Sequence, residues 1–317
     1  MQTPIGRVAL NALLRLVEIY PLLQRRKRGV RAELRVIEAC GQRVKLRIFR
    51  PNGPVSGVVL DLHGGGWTIG NARMADGQNG KLALRLNVAV VSVDYKLALA
   101  GPIEASIVEC ATAMSWIAAH AQREFGTPKI IVKGSSAGAH LAACAVTRLR
   151  AHDEVMRRIA GVMLYFGLYD FSATPMVRAA KADTLILHAP TVRATLSKLT
   201  PDMNDEERRG ASISPVYGDL TGLPPALFVV GEKDILLEDN QRMAARWQAA
   251  NGNARLLVVP ESPHAFIMMN TAIARKVEKF VDTWILDRLA NPASPGNPSF
   301  PRPAEPAETN DEPVAGA

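Results

Sequence analysis

The chain is poor in cysteine and in aromatic residues, and no uninterrupted apolar run in it is long enough to cross a bilayer. Its cysteines are three, Cys40, Cys110 and Cys144. They are odd in number and widely spaced, with no C-x-x-C pair. That excludes a disulfide framework and a zinc site built on paired thiolates, and it suits a reducing cytoplasm. Cys144 falls two helical turns after Ser136 and reads as a small core residue. Aromatic residues make up 5% of the chain, and none is interleaved with the cluster Arg25, Arg26, Lys27, Arg28 and Arg31 that supplies much of the +8 formal charge. A basic run without aromatics, followed by no nucleic-acid module, reads as a solvated face, so no nucleic-acid partner is expected. No internal repeat is evident.

Residues 1–28 carry a helical stripe through Ile5, Val8, Ala12, Leu13, Leu16 and Tyr20. Arg7, Arg15 and Glu18 interrupt it and no small-residue cleavage site follows, which argues against a signal peptide or a membrane span. A helix packing on the protein's own surface accounts for the stripe. The alternative is an amphipathic anchor at a lipid interface, which the basic cluster just after it would help. The last stretch, 291–317, is rich in Pro, Ala and Glu with almost no apolar bulk. It cannot bury enough surface to offset its ordering entropy and is expected to be a disordered tail.

Apolar residues are 48% of 317, enough for the core of one large α/β domain. Eight segments read as strands: 30–39, 44–49, 57–62, 88–93, 129–133, 161–166, 226–230 and 255–259. Helical stretches alternate with the later ones at 72–86, 102–123, 137–149, 238–250 and about 266–289. The alternation predicts a mostly parallel, doubly wound sheet within residues 30–290, with the first two strands as an antiparallel edge. Residues 172–212 break the rhythm between the sixth and seventh strands. A long polar, helix-prone insertion there is expected to be a lid or cap over the site.

At the end of the fifth strand stands Gly134-Ser135-Ser136-Ala137-Gly138, which fits G-x-S-x-G. Ser136 would sit on a strained strand-to-helix turn, where a Cβ on either flanking glycine would collide with the reversing backbone. A serine hydroxyl is a weak nucleophile; it needs a base, and the base needs an orienting acid. Ligands bind at the carboxyl ends of strands in this architecture, so both partners should follow strands. His264 lies five residues past the last strand and is the only histidine after His188, which makes it the candidate base. The acid should follow the seventh strand, where Asp234 is the first choice and Glu232 the second; Glu238 and Asp239 read as the start of the next helix. After the third strand comes His63-Gly64-Gly65-Gly66-Trp67. Three successive glycines let backbone N–H groups converge on a small anion, and with the N–H of Ala137 they would make an oxyanion hole.

The set HGGGW, VDYKLA, GSSAG, LPPALFVVGEKDIL and PHAF resembles the hormone-sensitive-lipase-like branch of the α/β-hydrolases, across about residues 30–290. The resemblance implies Ser136 as nucleophile, Asp234 as acid, His264 as base, and Gly65, Gly66 and Ala137 as N–H donors. It implies carboxylic-ester hydrolysis of small to medium acyl esters without metal or cofactor, and a cap built from the N-terminal helical segment and the middle insertion. An amidase or arylformamidase with the same triad is the alternative, and a non-catalytic binding homologue or a true lipase are further readings. Two departures stand out: Ser135 occupies a position that is often Asp, and Lys96-Leu97-Ala98 runs on into Leu99 where Pro-Glu is common. Both bear on the pocket, which Trp67, Tyr165, Phe166, Met268 and Met269 are candidates to line. Oligomeric state is left open, with a homodimer as the candidate.

Overall fold

The computed structural model describes residues 30 and 32–292. The N-terminal helical segment 1–28, the basic cluster and nearly all of the tail therefore lie outside the described residues. Eight strands form one sheet: β1 Ala32–Ala39, β2 Gln42–Phe49, β3 Val58–Leu62, β4 Ala89–Asp94, β5 Ile130–Ser135, β6 Ile159–Tyr165, β7 Ala226–Gly231 and β8 Ala254–Val259. The order is β1-β2-β4-β3-β5-β6-β7-β8. The pairs β1–β2 and β2–β4 are antiparallel and the rest parallel. The inner strands read as continuous apolar runs because helices cover both faces; β3 and β6 are buried at every position.

Those helices are α1 Asp76–Leu86, α2 Ile103–Phe125, α3 Ala137–Leu149, α4 Asp153–Met156, α5 Pro175–Ala179, α6 Ala189–Leu199, α7 Asp205–Arg208, α8 Leu237–Asn251 and α9 Ala272–Ala290. Two cores result, one on each face of the sheet. Leu82 of α1 and Val281 and Ile285 of α9 share a core with Val59, Ile131 and Met163; Ile117 of α2, Leu141 of α3 and Trp247 of α8 share the other with Leu60, Val132 and Leu164. The alternation of faces along β3, β5 and β6 follows from the two-residue period of a strand.

From β3 the chain crosses by α1 to β4, then returns by α2 on the opposite face to β5, the other neighbour of β3. Crossovers leaving adjacent strands on opposite faces open a crevice at their carboxyl ends. The HGGGW loop follows β3 and Ser136 follows β5, so sequence order places both at that crevice. The middle insertion holds three short helices, α5, α6 and α7. Its entry is pinned by the buried Asp239 of α8, which accepts from the backbone N–H groups of Tyr169 and Asp170 and from the Thr174 hydroxyl. No helix among the described residues is long and apolar enough to cross a membrane.

Candidate active site

Ser136 is the N-cap of α3, with φ 54° and ψ −121°, a backbone conformation that an L residue adopts only under constraint. The constraint is contact on both sides. A Cβ on Gly134 would run into the carbonyl of Gly138, and a Cβ on Gly138 into the carbonyl of Leu62 at the end of β3. The turn is therefore wedged against the neighbouring strand, with Ser136 part-exposed above it.

His264 Nε2 lies 3.0 Å from Ser136 Oγ, and His264 Nδ1 lies 2.7 Å from Asp234 Oδ2. Ionised Asp234 only accepts, so Nδ1 carries the proton and Nε2 is left to accept from the serine hydroxyl. The other carboxylate oxygen of Asp234 accepts the backbone N–H of Leu236 at 3.0 Å, which fixes the plane of the acid. The loops carrying acid and imidazole are tied together: Glu232 N–H donates to Val259 O at 2.9 Å and Lys233 N–H to Ser262 O at 3.0 Å. Phe166 packs its ring edge-on to His264 at 4.7 Å. Glu232, the second choice as acid, is exposed and instead accepts the backbone N–H of Glu261.

The glycine loop lies across the cleft. Gly65 and Gly66 both have positive φ, at 125° and 54°. Among the described residues, the N–H groups of Gly65, Gly66 and Ala137 meet no acceptor. Gly64 approaches the Ser135 carbonyl so closely that a Cβ would stand 2.9 Å from it. His63 holds the loop from behind. Its Nδ1 lies 2.8 Å from the Gly64 carbonyl, its ring stacks on Tyr95 at 4.2 Å, and the Tyr95 hydroxyl donates to the His63 carbonyl at 2.7 Å. Burial pushes the His63 pKa down, so the ring is neutral with its proton on Nδ1.

The residue sequence reasoning missed is His140, which reads as an ordinary helical histidine. It is fully buried on α3, accepts the Trp67 indole N–H at Nδ1, 3.0 Å away, and its Nε2 faces the Ile213 carbonyl at 2.7 Å. One ring thus joins the helix that begins at Ser136 to the glycine loop and to the end of the middle insertion. Its signal in the sequence was the i, i+4 spacing from Ser136, which aims it beneath the turn.

These groups line a cavity of about 670 Å³. Gly65, Gly66, Trp67, Ser136 and His264 face it together with Tyr165, Phe166 and Met268, while Met269 does not. Leu187, His188, Thr191 and Val192 of the middle insertion form part of the wall. No group of three or more His, Cys, Asp or Glu among the described residues is placed to hold a metal ion.

Residues 59–268 match the model of a family described by the alpha/beta hydrolase fold. The chain is 30% identical over 228 residues to the carboxylesterase NlhH of Mycobacterium tuberculosis, covering 69% of this chain and 68% of that protein. It is 32% identical over 237 residues to the esterase LipI of the same species, covering 71% and 72%. Among solved structures a bacterial heroin esterase superposes with a TM-score of 0.79 at 28% identity, covering 90% of this chain and 92% of that one.

Proposed function

Because the chain belongs to the α/β-hydrolase fold family and is a hydrolase of the ester-cleaving kind, we propose that it cleaves small to medium acyl esters by two-step acyl transfer through Ser136, His264 and Asp234. The observation that carries the reading is the continuous contact from Ser136 Oγ through both nitrogens of His264 to Asp234, at 3.0 and 2.7 Å. Ser136 Oγ attacks the ester carbonyl carbon as His264 Nε2 takes the hydroxyl proton. The imidazolium so formed is stabilised by Asp234 through Nδ1–H. Charge developing on the carbonyl oxygen is received by the N–H groups of Gly65, Gly66 and Ala137, each such donor being worth about 10²–10³ in rate. His264 then gives its proton to the departing alkoxide oxygen. Water, deprotonated in turn by His264, attacks the acyl-enzyme and releases the acid and Ser136.

The middle insertion acts here as a cap, since Leu187, His188, Thr191 and Val192 wall the cavity beside the nucleophile. The test is a panel of p-nitrophenyl esters of increasing chain length set beside anilides and formamides of the same acyl groups. Turnover of short and medium esters, with anilides slower by orders of magnitude, is the expected result. Faster cleavage of formamides would move the assignment to the amidase reading.

A further inference from the structure

Beneath Ser135 the sheet carries charge where its face is otherwise apolar. Asp61 on β3, Ser92 on β4 and Lys133 on β5 are register partners and so share one face. The Lys133 ammonium meets Asp61 Oδ1 at 2.6 Å; Asn79 Nδ2 and Ser92 Oγ donate to Oδ2 at 2.7 and 2.8 Å. Burial alone would raise the Asp61 pKa, but Lys133 and the two donors outweigh it and hold the carboxylate ionised. A pair buried in this way is weak evidence for stability, because apolar residues of the same volume often serve as well. Its position suggests another use, for Asp61, Asn79 and Lys133 line the same cavity as Ser136 and His264.

The cavity therefore has a second arm. It descends from the nucleophile between α1 and α9, over a floor of Ser135, Lys133, Asp61 and Tyr165. Ser135 and Lys133 are two residues apart on β5, and Tyr165 is the register partner of Ser135, so all three present to the same side. Lys133 lies about 10 Å below Ser136 by the rise of a strand. The small Ser135 side chain leaves this arm open directly beside the nucleophile.

Several of its polar groups have bonding capacity to spare. Among the described residues the Ser135 and Tyr165 hydroxyls have no hydrogen-bond partner. The Lys133 ammonium uses one of its three N–H bonds on Asp61. Asn79 Oδ1 is buried without a partner. The two remaining Lys133 N–H bonds and the two hydroxyl protons outnumber that one orphaned acceptor, and this surplus of donors calls for an acceptor. The charge balance says which kind. Lys133 is already cancelled by Asp61, and at the outer end Arg85 faces two acids, Asp282 and Glu278, leaving that end with one excess negative charge. A carboxylate would lose a charge's hydration and gain no net attraction, whereas a neutral oxygen loses far less and is repaid by the hydrogen bonds it accepts.

We propose that this arm is a specificity pocket for a neutral, oxygen-bearing substituent of the substrate, a ketone, ether or hydroxyl carried a few atoms from the scissile ester, with Ser135, Lys133 and Tyr165 as its donors. The proposal rests on the acyl-transfer reading above, since it names the part of the substrate that enters beside Ser136.

The test reads binding in the Ser136→Ala protein, where no turnover is needed. Methyl 5-oxohexanoate is titrated against methyl hexanoate, and 4-oxopentyl acetate against pentyl acetate, so that both sides of the ester are probed; monomethyl adipate supplies the anionic comparison. The oxo ester should bind about tenfold more tightly than its plain partner on one of the two sides, the scale of one or two net hydrogen bonds. That ratio should fall towards one when Ser135→Ala or Tyr165→Phe is added, and also with Asp61→Leu and Lys133→Met made together, which replaces both charges by apolar groups. If that pair of changes prevents folding, the Ser135 and Tyr165 variants decide. Equal or tighter binding of both plain esters, or tightest binding of the adipate, would overturn the pocket. Failure of the wild-type protein to turn over p-nitrophenyl acetate would instead overturn the acyl-transfer reading, leaving these ratios to answer for the pocket alone.

Discussion

Trp67 donates its indole N–H to His140 across 73 positions of sequence, at 3.0 Å, and so binds the glycine loop to the helix that begins at Ser136. The contact needs a neutral imidazole, because Nδ1 must accept while Nε2–H donates to Ile213.

Burial pushes the His140 pKa from 6.5 to about 4, the hydrogen bond to the Ile213 carbonyl only partly opposing it. A depressed histidine stabilises the fold fully above its unfolded value and loses that contribution as pH falls through the folded one, roughly 3 kcal/mol in all. Asp239 works in the opposite sense. Burial raises its pKa from 3.8 to about 7, its backbone and hydroxyl donors offsetting only part. Its contribution is full below 3.8 and lost as pH rises through 7. Between about pH 4 and 6.5 the two therefore cancel in large part. In urea titrations the wild type should show a shallow pH dependence over this range. Asp239→Asn should lose stability on acidification, and His140→Gln should gain it. Curves for both variants parallel to the wild type would contradict this assignment.

Asp234→Asn should cost about 10⁴ in kcat with little change in stability. Leu236 N–H already holds one side-chain oxygen of residue 234. The amide would keep its oxygen there and turn its NH₂ toward His264 Nδ1. That forces the proton onto Nε2, which then cannot accept from Ser136. The measurement is kcat on a p-nitrophenyl ester beside the thermal midpoint. A loss below tenfold would mean that the tautomer is set by something else.

Gly138→Ala should lower the thermal midpoint and kcat together. Its Cβ would press on the carbonyl oxygens of Leu62 and His63, which belong to the strand end that carries the glycine loop. Crowding of this kind costs on the order of 1–3 kcal/mol. Gly66→Ala is the comparison, since its Cβ would meet nothing within 4 Å and the cost is confined to a backbone at φ +54°. That cost is about 1–2 kcal/mol. Gly138→Ala should be the less stable protein; the reverse order would remove the wedge as the reason the turn is strained.

The strands were legible because the first two alternate apolar with polar residues and the inner ones are short, mainly aliphatic runs closed by turn residues. The last helix was not placed correctly. Expected from Phe266, it begins at Ala272, after a single 3₁₀ turn at Phe266–Met268. Thr271 caps it by accepting the Ala274 N–H at 3.1 Å; of the apolar residues 265–268 that resemble a helix start, Ala265 turns the chain at φ 58°, Phe266 enters the core, and Ile267 and Met268 line the cavity. Ser136, Asp234 and His264 could be read from their positions after strands, because crossover topology brings strand ends together. The Asp61–Lys133 pair could not, because it exists only through the register of β3 on β5, and a charge inside an apolar run carries no mark of its partner. Asp239 does stand in the first turn of its helix as its position predicts, but it is also buried and holds the entry to the middle insertion. Its donors, the backbone N–H groups of Tyr169 and Asp170, lie about seventy residues earlier, beyond the reach of any local pattern.

The measurement that bears most directly on Ser136 is mass spectrometry of the protein quenched within the first turnover of a p-nitrophenyl ester. One acyl group per chain should appear on the peptide that contains Ser136, in step with a stoichiometric burst of p-nitrophenol. Both should vanish in Ser136→Ala while the thermal midpoint holds. Sustained ester hydrolysis by Ser136→Ala, or an acyl group carried on any other residue, would contradict the account.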